Sequence, residues 1–253
     1  AGPVRVPGYT LLGEIGHGGM STVWLARHDT LQRHVAIKIA PKWLAGDKKM
    51  RTRLLQEARA MAKVSHHNIV AIHDILDVDD SVAIAMEWID GLTLAALLAA
   101  LPREPRADDV HTLAEALGRP AATTPFASNV VEFFVRIVRD IALALHHVHG
   151  AGLLHLDIKP SNILVRRDGT PLLADFGVVR EIDLATTHTH TFAGTPVYAA
   201  PEQLERKDAA FGPHTDVYGL GMTLYEMLAR RQPLRELDLT RVLLTVLGGR
   251  LPP

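Results

Sequence analysis

Hydrophobic and polar positions alternate with a period of two in the first third of the chain, which predicts β-strands. These alternating or β-branched runs comprise residues 9–14, 23–27, 35–40, 69–76 and 81–88. Between the third and fourth runs, Leu54, Ala58 and Met61 share one face of a predicted helix over residues 49–64. The first 88 residues therefore predict five strands, joined partly as hairpins, and one helix.

After residue 92 the hydrophobic positions follow helical spacing instead. The predicted helices comprise residues 92–101, 129–150, 215–230 and 239–248. The longest begins at Asn129 and Glu132, which resemble a capping box, and stops at Gly150. Residues 102–128 are rich in proline and small residues and predict an irregular excursion with a short helix at about 108–117. A small β-rich lobe is thus expected to precede a larger helical lobe.

Composition narrows the function classes. The 253 residues carry a net charge of −1, which gives no reason to expect nucleic acid or an acidic membrane as partner. No cysteine is present, which excludes disulfides and thiolate chemistry and fits a reducing, cytoplasmic compartment. The longest apolar run, at residues 92–101, is about half of a bilayer span. Because the chain begins Ala-Gly-Pro rather than with Met, we expect a fragment of a longer protein, with any membrane anchor outside it.

Three features in the β-rich part suit phosphate binding. Glycines at 16, 18 and 19 follow the first strand, and a backbone without side chains folds closely over a polyphosphate, although any glycine hairpin has this composition. Lys38 ends the apolar strand "VAIK", where its ammonium either meets a phosphate or snorkels to the surface. Glu57 lies on the same helical face as Met61, so it either pairs with Lys38 or is an exposed glutamate.

A second group of polar residues follows the long helix. The segment "HLDIKPSN" at residues 155–162 contains Asp157 and Asn162, and "DFG" begins at Asp175. The oxygens of Asn162 and Asp175 are ligands that Mg²⁺ prefers, together with substrate phosphates. Asp157 is suited to accept a hydroxyl proton, a step typically worth about 10²–10⁴ in rate.

These motifs, in this order, closely resemble the protein kinase family. They are completed by "GTPVYAAPE" at residues 194–202 and "DVYGLG" at 216–221, and the match runs from about residue 9 to 250. The residues within these motifs are most similar to those of the eukaryotic-like Ser/Thr kinases of bacteria. The resemblance implies an α+β bilobal fold with a five-stranded antiparallel N-lobe (9–88), a hinge (87–91) and a mainly helical C-lobe (92–253). Residues 102–128 are then an insertion, and the C-terminal helices of the family are missing.

By resemblance, Lys38 and Glu57 form an ion pair at the ATP phosphates, and Asn162 and Asp175 hold Mg²⁺. Asp157 would deprotonate the acceptor, and Lys159 would neutralise the γ-phosphate. Other contacts to ATP are implied for the glycine loop, the apolar adenine-facing residues and the hinge. With the residues already named, the ATP-binding set comprises Ile15, Gly16, Gly18, Gly19, Val23, Ala36, Lys38, Met86, Glu87, Ile89, Leu164 and Asp175.

The resemblance also assigns roles outside the nucleotide site. His155 would be a packing residue anchored toward Asp216, stacked with Met61, Ile72 and Phe176, rather than a general base. Thr195 belongs to the platform that receives a peptide substrate. Four threonines of the activation segment would be autophosphorylation sites, or else belong to a polar loop without modification: Thr186, Thr187, Thr189 and Thr191.

Three positions depart from the family pattern. Ser21 replaces the third glycine of the loop, for which we expect a modest effect on ATP affinity. Leu156 replaces the arginine that usually binds a phosphate on the activation segment, so the chemistry is expected to survive while the usual switch is lost. In the family, Glu202 normally pairs with an arginine in the C-terminal helices. Here it needs another partner, or the missing part lies outside the fragment, or the C-lobe is reduced.

The favoured function is therefore transfer of phosphate from ATP, with Mg²⁺, to Ser/Thr hydroxyls of protein substrates and of the kinase itself. The alternative from another class is a pseudokinase that acts as a nucleotide-binding scaffold, but such proteins usually lose one of the core Lys, Asp or Asn residues. A small-molecule kinase is disfavoured by residues 194–202, which build a peptide platform. The protein substrate, the role of residues 102–128 and any dimerisation stay open.

Overall fold

The structure is a computed structural model, and it describes most of the chain. The described residues are 5–18, 21–40, 48–78, 81–104, 106, 109–119, 127–175, 196–205, 210–234 and 237–249. The side chains of residues 18, 48–50, 53, 57 and 239 lie outside this description. Contacts divide the described residues into two units. The first comprises those up to His66 together with Val70–Ile89, and the second comprises His67–Ile69 together with those from Asp90 onward.

The first unit is built on an antiparallel sheet of five strands in the order β1-β2-β3-β5-β4. Its elements are β1 (Tyr9–Gly18), β2 (Ser21–His28), β3 (His34–Ile39), α1 (Lys48–Met61), β4 (Ile72–Val78) and β5 (Ser81–Glu87). Val35, Ile37 and Ile39 alternate along β3 and are buried in a core with Ala26 and Ala85. The predicted sheet of five antiparallel strands and its helix are confirmed.

One strand boundary was predicted wrongly. The β-branched run from residue 69 was expected to be a single strand, but β4 begins only at Ile72. Ile69 instead forms a parallel bridge with Leu173, and Asn68 is held by hydrogen bonds to the backbone of Pro171 and Leu173, at 2.7 and 2.8 Å. Asn68 and the first residue of the run, Ile69, therefore belong to the second unit, where their backbone groups pair with β8 and its start.

The second unit combines a small sheet with helices. Its strands are β6 (Gly91–Thr93), β7 (Ile163–Arg166) and β8 (Pro171–Leu173), and its helices are α2 (Leu94–Ala100), α3 (Asp109–Ala116), α4 (Val130–Gly150), α5 (Pro201–Leu204), α6 (Pro213–Ala229) and α7 (Leu239–Leu247). The buried face of α4 is the predicted one and includes Phe133, Ile137, Ile141 and Leu145. Asn129 caps α4 by accepting the Glu132 N–H at 2.9 Å.

The helix predicted over residues 92–101 begins later than expected. Gly91–Thr93 form a strand paired with β7, and α2 starts at Leu94 with Thr93 as its N-cap, whose hydroxyl accepts the Ala96 N–H at 3.1 Å. Gly91 lies so close to β7 that a Cβ would stand 2.0 Å from the carbonyl oxygen of Val165. Glycine is therefore required there for the strands to pair.

The predicted insertion contains the predicted short helix, α3, and this helix is part of the core. Val110, Leu113 and Leu117 of this segment are buried. Asp109 at the start of α3 forms an ion pair at 2.9 Å with Arg230, the C-cap of α6, and both side chains are almost fully buried. In the described residues, no helix combines the length and the apolar character needed to cross a membrane.

Candidate active site

The loop after α4 is held by one buried carboxylate. Asp216, in the first turn of α6, accepts the backbone N–H of His155 at 2.9 Å and that of Leu156 at 2.7 Å. Its Oδ2 also contacts Nε2 of His149 at 2.8 Å, near the C-terminal end of α4. The Asp216 side chain is fully buried, so these contacts replace its lost hydration. Two helices therefore fix the start of the loop.

His155 is a buried packing residue, as the sequence predicts. Its Nδ1 accepts the Asp157 N–H at 3.2 Å, so Nε2 carries the proton and donates to the carbonyl oxygen of Ala174 at 3.0 Å. Burial lowers the pKa of His155 below its ordinary value, and the nearby Asp216 carboxylate opposes this only in part. With both ring nitrogens engaged inside the protein, His155 is not placed to act as a general base on a substrate.

Asp157, Lys159 and Asn162 form one cluster in this loop. The Lys159 ammonium donates to Oδ2 of Asp157 at 2.8 Å, and the Asn162 amide donates to the same oxygen and to the Asp157 backbone carbonyl, each at 2.8 Å. The Asp157 and Lys159 side chains remain 19% and 18% exposed, so a reactant can reach them. The arrangement holds a carboxylate in a fixed rotamer beside a cation, which suits proton acceptance and binding of an anionic group.

The backbone brings Asp175 next to Asn162. The Ala174 N–H donates to the Asn162 carbonyl at 2.9 Å, and the Ala174 carbonyl is held by His155. Asp175, with φ of 59°, follows directly and is exposed. Because the Asn162 amide nitrogen donates to Asp157, the Asn162 amide oxygen points away from Asp157. A carboxylate and an amide oxygen on adjoining backbone are a donor set that fits Mg²⁺.

In the first unit, the residues predicted at the nucleotide share one face of the sheet. Antiparallel register places Gly16 opposite Val23 and Val23 opposite Lys38, while Ala36 pairs with Met86. Directly opposed residues project to the same face, and Ala36 and Lys38 are two apart on β3, so these rows lie together. This face is the reverse of the one that buries Val35 and Ile37.

The other residues that are predicted to contact ATP differ in their exposure to solvent. Ile15 is exposed, Leu164 is half-buried and Ile89 is buried. The Glu87 N–H donates to the Ala71 carbonyl at 2.8 Å. Outside the described residues lie the Glu57 side chain and Gly19, Phe176, Thr186, Thr187, Thr189, Thr191 and Thr195. Their predicted roles stay predictions.

The Glu202 carboxylate is contacted by a threonine and a histidine. Thr215 donates its hydroxyl to Oε1 of Glu202 at 2.7 Å, and Nε2 of the exposed His214 lies 3.4 Å from the same oxygen. Both partners come from the first turn of α6. Within the described residues, the Glu202 carboxylate therefore has a hydroxyl donor and a nearby imidazole.

Sequence reasoning missed Gln203, the residue after Glu202 in α5. It is buried, and its amide donates to the Leu156 carbonyl at 2.9 Å while its oxygen accepts the Ala200 N–H at 3.0 Å. A polar residue directly after the "APE" motif was the available signal, but its partner is 47 residues away in the chain. The link joins α5 to the loop that carries Asp157.

The chain belongs to the protein kinase family: the family model described as "Protein kinase domain" matches residues 9–245. Its relatives include the serine/threonine-protein kinase PknL of Mycobacterium tuberculosis (strain CDC 1551 / Oshkosh), which is 35% identical over 89% of this chain and 50% of PknL. The serine/threonine-protein kinase PrkC of Bacillus subtilis (strain 168) is 34% identical over 90% of this chain and 32% of PrkC. The predicted resemblance to bacterial kinases is confirmed.

Solved structures show the same fold. The crystal structure of the Mycobacterium tuberculosis PknI kinase domain matches with a TM-score of 0.67 and 28% sequence identity, covering 93% of this chain and 80% of that one. The α+β kinase fold predicted from the sequence is therefore confirmed. The chain spans half or less of the length of the PknL and PrkC relatives.

Proposed function

We propose that this domain transfers the γ-phosphoryl group of ATP, with Mg²⁺, to serine or threonine hydroxyls of proteins. The proposal depends mainly on the cluster of Asp157, Lys159 and Asn162, in which the Lys159 ammonium and the Asn162 amide both donate to Oδ2 of Asp157 at 2.8 Å. Bacterial relatives named serine/threonine-protein kinases over most of this chain support the same reaction.

In this proposal Asp157 orients the acceptor hydroxyl and takes its proton. The contacts from Lys159 and Asn162 hold the Asp157 carboxylate in one rotamer, which lowers the entropic cost of aligning the acceptor. Lys159 also offers its positive charge where negative charge develops during the transfer. Both functions belong to one short segment, so a small displacement of its backbone would disturb them together.

Asn162 and Asp175 would hold the metal ion through oxygen atoms. Bound Mg²⁺ would neutralise charge on the polyphosphate. The chain's own contribution is to fix these two ligands, which it does through the hydrogen bond from Ala174 to Asn162. The exposure of Asp175 leaves its carboxylate accessible to a hydrated ion.

Nucleotide binding is proposed for the residues on the shared face of the first unit. Val23 and Ala36 offer apolar contact to adenine, and Lys38 offers its ammonium to the phosphates, in a pair with Glu57. The positions of Gly16 and Val23 opposite one another, and of Val23 opposite Lys38, support this assignment. Protein substrates, autophosphorylation of Thr186–Thr191 and a cytoplasmic site of action belong to the same proposal.

Leu156 removes the usual phosphate-dependent switch without touching the transferred group. Its contribution to the loop comes from its backbone, whose N–H binds Asp216 and whose carbonyl binds Gln203. We therefore expect phosphatase-treated protein to retain the turnover of the phosphorylated form. A large rise in turnover on phosphorylation, abolished by substitution at position 156, would contradict this expectation.

The acceptor class is tested by offering the same domain three substrates with labelled ATP and Mg²⁺. The first acceptor is a peptide that contains serine and threonine. The second is its matched control, in which serine is replaced by alanine and threonine by tyrosine. The third is a small amino alcohol. Label on the first peptide alone supports the proposal. Label on the amino alcohol alone would identify a small-molecule kinase, and ATP binding without transfer to any acceptor would identify a pseudokinase.

A further inference from the structure

The backbone of Leu156, the residue before Asp157, is anchored from α5 as well as from α6. Asp216 accepts the N–H of Leu156 at 2.7 Å, and Gln203 donates to its carbonyl at 2.9 Å. Gln203 is 4% exposed, so little water competes for this hydrogen bond. The carbonyl that Gln203 holds belongs to the residue directly before Asp157.

Leu156 needs such an anchor because its backbone is in an uncommon conformation. Its φ is 63°, in the left-handed region that residues with a Cβ rarely adopt. Such a conformation persists where the surroundings over-determine it. Here the hydrogen bonds to Asp216 and Gln203 engage both backbone groups of Leu156, and the next N–H, that of Asp157, is bound by His155.

The other half of the Gln203 amide is used inside its own helix. Its oxygen accepts the Ala200 N–H at 3.0 Å, which satisfies a backbone donor at the start of α5. This contact fixes which end of the amide faces Leu156. The geometry therefore gives Gln203 two separable roles, a local cap through its oxygen and a long-range donor through its nitrogen.

We propose that Gln203 is a positioning residue for phosphoryl transfer, which holds Asp157 in its reactive place through the Leu156 carbonyl. The inference rests on the proposed kinase function. It assigns to a neutral amide in α5 the task of fixing the loop, in a chain whose leucine at 156 cannot bind a phosphate. The link requires no modification, so the loop is anchored constitutively by the end of the activation segment.

Two substitutions separate the roles of Gln203. Gln203→Glu keeps an oxygen to accept the Ala200 N–H but, when ionised, has no donor for the Leu156 carbonyl. Gln203→Met has similar volume and loses both contacts. At a pH high enough to ionise the carboxyl introduced by Gln203→Glu, both variants lack the long-range donor, so both are expected to lower kcat by a similar factor, on the order of tenfold, the worth of one buried hydrogen bond. KM for ATP is expected to stay within about twofold, because the nucleotide contacts are unchanged.

A readout that needs no catalysis separates this inference from the proposed function. Hydrogen exchange of the His155 and Leu156 amides, measured on the same proteins, is expected to be on the order of tenfold faster in Gln203→Glu and Gln203→Met than in the original chain. Exchange within α4 is expected to be unchanged. A purely local cap would instead leave the loop amides and kcat unaffected in Gln203→Glu while Gln203→Met loses stability.

The outcomes are therefore distinct. Lower kcat and faster exchange in both variants support the inference. Unchanged exchange and kcat in Gln203→Met, or in Gln203→Glu at a pH where its carboxyl is ionised, overturn it. If the original chain transfers no phosphate but the loop amides exchange faster in both variants, the anchor stands and the proposed function fails.

Discussion

The buried ion pair between Asp109 and Arg230 offers a sharp test of how α3 is joined to the end of α6. Asp109 is 1% exposed and Arg230 is 4% exposed in their side chains, and the two are 2.9 Å apart. Oδ2 of Asp109 also accepts the Arg106 N–H at 2.9 Å, and the Arg230 guanidinium lies 5.3 Å from the centre of the Phe134 ring. Removing either charge leaves the other buried without its counter-charge.

We expect Asp109→Asn and Arg230→Met each to lower the free energy of unfolding by about 3–5 kcal/mol, the cost of leaving one buried charge uncompensated. For a chain of this size that corresponds to a fall in Tm of roughly 6–20 °C. The double variant is expected to cost less than the sum of the two by about 2–3 kcal/mol, because no unpaired charge remains. Methionine retains a Cβ, so the left-handed backbone of Arg230 is equally strained in both forms.

Urea unfolding followed by ellipticity at 222 nm is the suitable assay, because the described helices lie mostly in the second unit. Tryptophan fluorescence reports the other unit, since the tryptophans are at positions 24, 43 and 88. The matched control is Arg231→Met, next in sequence but exposed, with an expected change within about 0.5 kcal/mol. Single variants that each cost less than about 1 kcal/mol, or costs that simply add in the double variant, would refute the reasoning.

Two further predictions concern stability. Burial lowers the pKa of His155, so its imidazole stays neutral in the folded protein, while the unfolded chain takes up a proton below about pH 6.5. The free energy of unfolding is therefore unaffected by this group above that pH. It decreases as the pH falls from about 6.5 towards the lower pKa of the folded state. His155→Gln, which can keep an acceptor and a donor, is expected to abolish that part of the pH dependence of the unfolding free energy, and an unchanged slope between about pH 7 and 5.5 would contradict the assignment. Thr215→Val leaves the carboxylate of Glu202 without its hydroxyl donor and is expected to cost about 1–3 kcal/mol in thermal or urea unfolding. Thr215→Ser keeps the donor and is the control, so equal losses in both would mean that the lost methyl packing, not the hydrogen bond, matters.

Hydrophobic periodicity and motif spacing predicted the helices, strands and motifs that depend on residues close together in the chain. The face of α4 was predictable because Phe133, Ile137, Ile141 and Leu145 repeat at helical spacing over several turns. The five strands of the first unit were predictable because alternation marks one buried face. The glycines predicted to bind phosphate and the Asp157 motif were recognisable because their spacing along the chain is itself the signal.

Features that depend on distant partners were not predictable. The ion pair of Asp109 and Arg230 joins positions 121 residues apart, and neither side chain carries a local mark of burial. The strand at Gly91 was hidden inside an apolar run, since a short apolar segment fits a strand or a helix equally well. The roles of Gln203 and of the left-handed Leu156 were missed for the same reason, because the partners of Leu156, Gln203 and Asp216, are 47 and 60 residues away in the chain.

The central claim is that Asp157, held by Lys159 and Asn162, carries out phosphoryl transfer from ATP. The most direct measurement is incubation of the purified domain with γ-labelled ATP and Mg²⁺ beside Asp157→Asn, followed by mapping of the phosphorylated residues. The account predicts label on Thr186–Thr191 in the original chain and a rate lower by about 10²–10⁴ in Asp157→Asn, with ATP binding retained in both. Equal labelling of the two proteins, or ATP binding without any label in the original chain and in a longer form of the protein, would contradict it.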